Sequence, residues 1–362
     1  MEAPLLYWCK VNMAMQFMDS TDHYSTFTDI DQKWTFNGGA SITNSPPSGR
    51  GTQALNLGNQ GVAKTLTYQS GWVTGFAVNI SGAIDAGPFY KLSAANDTPI
   101  SQCWIESDGS ISLYSGNKST LIFNTGTGTP AFFMQSFAWY YVEVKSAITG
   151  TTPMAVTMNL RVNGIPLGSG SASVGTNASA TLIGIAQANY HQYEGPVLSG
   201  TAFMRDIYIA DLSGSGSVND FTGDLKIAVV YTTANSTFAG WTAVGSGTGW
   251  NTVNPQFPEN NGTGTYIVDQ GGSGNVANFL WQPVSTFTGG IVAVHFGVYA
   301  RKDDEGSREF QHTVHGSTQG TMISPGDSYL YYFIALDQDP ATGVPWTQSG
   351  FDSSSFGVVT TT

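Results

Sequence analysis

Glu106-Ser107-Asp108 is the one place in this 362-residue chain where carboxylates begin a strand-borne glycosidase pattern. Glycoside hydrolysis needs two carboxyl groups converging on the scissile bond, one as acid and one as nucleophile or base. A Glu-x-Asp-x-x-Glu strand would supply them, but Ile111 stands where the last Glu belongs, and Asp108 is better used in a turn. A linear two-carboxylate site is not supported. A glycan depolymerase then requires carboxylates drawn from separate loops.

Other reactive types give as little. His312 and His315 are three apart, so on a strand they face opposite ways and cannot share one metal ion. Asp19, Asp22, Asp29 and Asp31 cluster in MDSTDHYSTFTDID without the glycine and terminal Glu of an EF-hand loop. They read as solvated carboxylates, with a loop calcium site as the alternative. Cys9 and Cys103 lack the spacing of a metal or redox pair and read as buried or half-buried thiols. Nucleophile elbows, zincin motifs, P-loops and dinucleotide fingerprints are missing. No catalytic residue, metal or cofactor is assigned, and a non-enzymatic protein is expected.

The elements that must position any site are strands. The chain has 44 Gly, 12% aromatic residues and only 10% charged ones, and no apolar helical spacing persists over three turns. Segments such as WVTGFAVNI at Trp72–Ile80, WYYVEVK at Trp139–Lys145, AVTMNLRV at Ala155–Val162 and RDIYIA at Arg205–Ala210 read as strands. Asn163-Gly164 reads as a tight turn. Further strands are expected at Asp224–Tyr231, Thr265–Val268, Gly290–Lys302, Arg308–His315 and Tyr329–Leu336. Short strands without intervening helices predict sandwiches rather than βαβ units. The small polar stretch near Gly214–Asn219 divides an N-terminal domain, 1–213, from a C-terminal one, 220–362.

One hairpin can be registered. In CWIESDGSISLY a three-residue loop, Ser107-Asp108-Gly109, sets Ile105 opposite Ile111 and Cys103 opposite Leu113. Those four then share one face, with Gly109 in the left-handed position. Trp104, Glu106, Ser112 and Tyr114 share the other. Sugar rings stack on aromatic rings, so Trp104 and Tyr114 are the candidate glycan contact, against the alternative of packing on a second sheet or subunit.

GVYARKDDEGSREF is the densest charge run. Arg301, Lys302, Asp303, Asp304, Glu305, Arg308 and Glu309 put seven charges into ten residues, in a half holding only four basic residues. It reads as the tip of a hairpin between Ile291–Lys302 and Arg308–His315. Arg301, Lys302, Asp303, Asp304, Glu305 and Arg308 form a candidate docking tip.

Charge restricts the partners. The net charge is −12, and the second half carries 4 basic against 12 acidic residues. Neither nucleic acid nor an anionic membrane suits such a surface. No apolar run approaches a membrane span. The opening MEAPLLYWCKVNMAMQF lacks the basic region of a signal peptide, so synthesis in a cytosol is expected.

MQFMDSTDHYSTF with KWTF at Lys33–Phe36 resembles the first strands of laminin-G-like, concanavalin-type jelly rolls in virion proteins of tailed bacteriophages. SGRGTQAL at Ser48–Leu55, WYYVEVK, LRVNG at Leu160–Gly164 and RDIYIAD at Arg205–Asp211 follow in the same order. DFTGDLKIAVVY, ARKDDEGSREF and PATGVPWTQSGFDSSSFGVV resemble the small β domain that follows it. The resemblance implies an all-β protein: an N-terminal concanavalin/laminin-G-like jelly-roll sandwich and a C-terminal β-sandwich. It implies a structural or adhesive component of the tail, neck or capsid surface, assembled in the host cytoplasm. Expected partners are other virion proteins, further copies in a homo-oligomer (a trimer by expectation) and a host-surface glycan. A free carbohydrate-binding module is the remaining alternative.

Overall fold

The computed structural model describes residues 14–22, 24, 30–37, 40–56, 61–66, 70–94, 98–150, 154–175, 182–186, 201–212, 218–245, 247–253, 266–285 and 287–361. The protein is 53% strand and 5% helix, which makes it all-β. Among the described residues every strand pair is antiparallel.

Two large sheets draw their strands from residues 15–211. The first runs Ile165–Gly175, Met154–Val162, Trp139–Thr149, Gly71–Ser81, Thr201–Asp211, Ala54–Asn56 and Ser41–Thr43, with Met15–Asp19 also on Thr201–Asp211. The second runs Thr120–Asn124, Ile111–Ser115, Pro99–Ile105, Gly87–Ala94, Leu182–Ala186, Val62–Thr65 and Phe36–Asn37. Phe76, Val78, Val142, Val144, Met158 and Leu160 of the first meet Phe89, Ile100, Ile105, Ile111 and Leu113 of the second in one continuous core. Each such side chain contributes roughly 1.5–3 kcal/mol by leaving water.

Alternation explains that inner face but not the whole of Gly71–Ser81, in which ten consecutive residues are buried. Its outward side chains, Val73 and Ala77, pack with Tyr141 and Tyr208 beneath Ala335, Phe221, Leu225, Val292 and Ala293 of the second half. The centre of the first sheet is therefore buried on both faces, as the apolar run of Gly71–Ser81 requires.

The second half forms a five-stranded sheet in the order Thr232–Ala239, Val276–Trp281, Phe356–Thr360, Phe310–Val314 and Ser317–Ile323. Two-stranded sheets pair Val294–Ala300 with Leu330–Leu336, and Trp241–Val244 with Tyr266–Asp269. Phe296, Ile334 and Leu336 of the former pack with Val314, Trp346 and Phe356.

Two sequence expectations need correction here. Ile291–Lys302 and Arg308–His315 do not form a hairpin. Val294–Ala300 pairs with Leu330–Leu336, whereas Phe310–Val314 pairs with Phe356–Thr360 and Ser317–Ile323. The charged run 301–309 thus crosses between sheets, and pairing Val294–Ala300 with Leu330–Leu336 brings Phe296, Ile334 and Leu336 together against Val314 and Phe356 in one buried cluster. Asp224–Tyr231, expected as a strand, is irregular and joins no sheet. By contrast, Asn163 and Gly164, at φ 50° and 77°, make the expected two-residue turn between Val162 and Ile165.

Candidate functional site

The turn Glu106–Ser110 organises the best candidate. Ile105 stands opposite Ile111 and Cys103 opposite Leu113, as the three-residue loop predicts. Gly109 has φ 86°, and Asp108 accepts the Ser110 amide at 2.8 Å, which closes the turn. That use of Asp108, whose carboxyl is held low by the Ser110 bonds, removes it from any acid–base pair with Glu106. Cys103, Ile105, Ile111 and Leu113 are buried in the core. Burial pushes the Cys103 thiol well up, so it is inert rather than nucleophilic.

The opposite face carries the polar and aromatic set. Trp104 and Tyr114 lie edge to face with ring centroids 6.5 Å apart, and both are half-buried. Tyr114 donates its hydroxyl to Glu106 Oε1 at 2.9 Å, and Trp104 Nε1 donates to Gln102 Oε1 at 2.5 Å. Cross-strand register lines up Lys91, Gln102 and Tyr114 on three neighbouring strands. Burial, together with the Glu106 carboxylate, pushes the Tyr114 phenol up, so it remains a donor at neutral pH.

Lys118 completes this face, and sequence reasoning missed it. It sits at φ 52° in the turn after Ile111–Ser115. Its ammonium lies 4.0 Å from the Trp104 ring centroid, 5.1 Å from that of Tyr114, and 3.6 Å from Glu106 Oε2. The turn Gly116-Asn117-Lys118 beside Tyr114 was the available signal. Its capture of the ring faces depends on the three-dimensional turn. The arrangement offers an aromatic edge, a cation, a carboxylate and an amide within one patch. Those groups can hold a hydroxylated ring by stacking and by paired donors and acceptors.

The remaining candidates are placed differently. Asp19 and Asp22 are not solvated loop carboxylates. Asp19 is buried and accepts from Tyr24 Oη at 2.5 Å, Trp34 Nε1 at 2.7 Å and the Thr21 amide at 3.0 Å. Asp22 pairs with Arg205 at 2.7 Å. Such donors occupy the lone pairs that a calcium ion would need. Asp29 and the side chain of Asp31 lie outside the described residues, as does Cys9.

His312 and His315 do not converge either. His312 is buried beside the Tyr332 carbonyl, and burial pushes it down to about 4. His315 meets Asp339 at 3.1 Å and Ser354 at 2.9 Å, which superficially resembles a catalytic triad. Both contacts fall on Nε2, however, and Ser354 donates its proton to the Gly350 carbonyl at 2.6 Å. His315 is therefore the donor to both oxygens, not a base toward the serine. Among the described residues no group of three metal-ligating side chains forms.

The charged run is a solvated crossover. Arg308 pairs with Asp304 at 2.6 Å, Lys302 lies 3.7 Å from Asp327, and Arg301 covers Tyr329 at 5.0 Å. Asp303 and Glu305 are exposed. The structure thus removes the hairpin that Arg301, Lys302, Asp303, Asp304, Glu305 and Arg308 were expected to tip.

No protein-family model and no curated protein matches the sequence. Among solved structures, the chain is similar to an endo-β-1,4-glucuronan lyase from Trichoderma reesei at 11% identity and TM-score 0.36, over 54% of this chain and 95% of that one. An alginate lyase from Aplysia kurodai gives 11% identity and TM-score 0.39, over 54% and 98%. A Trypanosoma rangeli sialidase gives 11% and 0.33, over 47% and 26%. The expectation of a non-enzymatic protein is withdrawn on this finding: the similar structures are lyases and sialidases, so the architecture gives no ground for excluding catalysis. At such identities and TM-scores they assign no substrate and no residue role to this chain.

Proposed function

We propose that this protein recognises a carbohydrate on the outward face of its second sheet, with Trp104 and Tyr114 as the ring contacts. The observation that carries the reading is their edge-to-face pairing on the side away from the core, surrounded by Gln102, Glu106 and Lys118. An aromatic pair needed only for packing would be expected in the apolar core. This one faces outward with its polar atoms gathered around it. On the sequence resemblance alone, we place the protein on a tailed-phage particle, where this face would meet the host surface. Antibody labelling of purified particles tests that placement, and unlabelled particles would remove it.

The carbohydrate reading is tested with a panel of neutral and acidic polysaccharides in affinity electrophoresis, comparing the wild type with Trp104→Ala. Expected is retardation by at least one polysaccharide and at least about a tenfold weakening in the variant, the scale of losing one stacked ring. Equal retardation of the two proteins, or none by any polysaccharide, sinks the proposal. The same mixtures analysed for chain length show whether binding is accompanied by cleavage.

A further inference from the structure

Lys118 does more than border Trp104 and Tyr114: its ammonium occupies the corner that they make. The two rings stand at 83° with centroids 6.5 Å apart. Between them the Lys118 ammonium lies 4.0 Å from the indole centroid and 5.1 Å from the phenol centroid. Glu106 Oε2 closes a third side at 3.6 Å. Two aromatic rings nearly at right angles, with a carboxylate beside them, suit an organic ammonium group. The ring quadrupoles attract its charge, and the apolar ring surfaces accept the carbons attached to it.

The walls are fixed independently of that cation. Trp104 Nε1 donates to Gln102 Oε1 at 2.5 Å, and the Tyr114 hydroxyl donates to Glu106 Oε1 at 2.9 Å. On the reverse of the same strands Ile105 and Leu113 are fully buried. Walls held in this way lose little freedom on binding. The occupant is held less firmly. Lys118 sits in a turn at φ 52°, a left-handed conformation uncommon for residues other than Gly, Asn or Asp. Its side chain is 36% exposed, so the ammonium can swing into water without opening the fold. Cation–π contacts and ion pairs at such exposed positions are the weak ones of their kind.

We propose that Trp104, Tyr114 and Glu106 form a cage for an ammonium group of the ligand, and that Lys118 is its intramolecular placeholder, expelled on binding. The cage rests on the same ring contacts as the carbohydrate reading and names its substrate class. The ligand is a glycan bearing a charged amine, either an amino sugar or a quaternary ammonium substituent. One cation replaces another in the exchange, so Glu106 stays balanced while Lys118 gains its hydration. A neutral sugar offers no such exchange and meets Lys118 still lying over the Trp104 ring. A net charge of −12 also favours approach of a cationic partner.

Equilibrium dialysis of the full chain with radiolabelled choline, and separately with radiolabelled glucosamine at mildly acidic pH, tests the proposal. The two compounds distinguish a quaternary from a primary ammonium source. Their uncharged counterparts, 3,3-dimethylbutanol and N-acetylglucosamine, serve as competitors. Lys118→Gly removes the placeholder and suits the left-handed backbone, so the fold is kept. Expected is saturable binding of choline or glucosamine, at least about tenfold tighter in Lys118→Gly than in the wild type, the scale of removing a competing cation–π contact. Adding Trp104→Leu to that variant should abolish the site. Should the double variant not fold, Glu106→Gln replaces Trp104→Leu, keeps an acceptor for Tyr114, and should weaken binding at least about threefold. No saturable binding by Lys118→Gly, tighter binding by the wild type, or equal displacement by the uncharged counterparts overturns the cage. Retardation by a neutral polysaccharide without ammonium binding also overturns it and leaves the glycan face standing. Ammonium binding without retardation by any polysaccharide supports the cage and removes the glycan.

Discussion

Arg50 Nε donates to Asp206 Oδ2 at 2.7 Å, and the other oxygen of that carboxylate accepts the amide of Ile227 at 3.0 Å. One buried carboxylate thereby holds a loop of the first half and the incoming chain of the second. The guanidinium also reaches Asp224 at 2.5 Å and the Leu225 carbonyl, and lies 4.9 Å from the Tyr141 ring.

Arg50→Ala is expected to destabilise the chain by about 3 kcal/mol, because it leaves Asp206 buried with part of its charge uncompensated. The half-exposed partner Asp224 contributes little of that loss. Arg50→Lys should recover less than half, since an ammonium cannot reproduce the fork that serves Asp206, Asp224 and Leu225 together. Denaturant midpoints for the three proteins measure this, and equal midpoints would show that the seam does not depend on Arg50.

His312 makes stability depend on pH. Its folded value near 4 lies below the ordinary 6.5, so between those values the unfolded chain binds more protons. Its contribution is complete above about pH 6.5 and is lost progressively as pH falls toward 4, to an extent of about 3 kcal/mol. His312→Gln keeps a donor for the Tyr332 carbonyl but does not titrate. Its melting temperature should fall less than that of the wild type between pH 7 and pH 5. Parallel curves would contradict the assignment.

Gly109→Ala is expected to cost about 3 kcal/mol. At φ 86° an L side chain is strained, and its Cβ would stand 2.5 Å from the Met134 carbonyl oxygen, part of the backbone that accepts no easy shift. Gly164→Ala is the control: φ is 77°, but nothing lies within 4 Å, so about 1 kcal/mol is expected. Thermal unfolding of both variants separates the clash from the dihedral strain.

Local order was legible wherever one short-range rule governed. The alternation in CWIESDGSISLY, with a loop ending in glycine, set the register of that hairpin and put Trp104 beside Tyr114. Asn163-Gly164 specified its own turn. Pairing across the chain was not legible. Leu330–Leu336 competes with Phe310–Val314 for Val294–Ala300, and alternation suits either partner equally well. Lys118 was within reach of its sequence neighbours, but only the left-handed turn lays it over Trp104.

By itself the sequence determined that the chain is β-structured, acidic and free of linear catalytic motifs, and which side chains share each face of a strand. Those properties follow from composition and from a period of two, which any fold must respect. Tertiary structure alone decided the partners of Asp19 and Asp22 and the crossover at 301–309. Each depends on burial of surfaces distant in sequence. The free energy of that burial is summed over the whole assembly, and no local pattern encodes it.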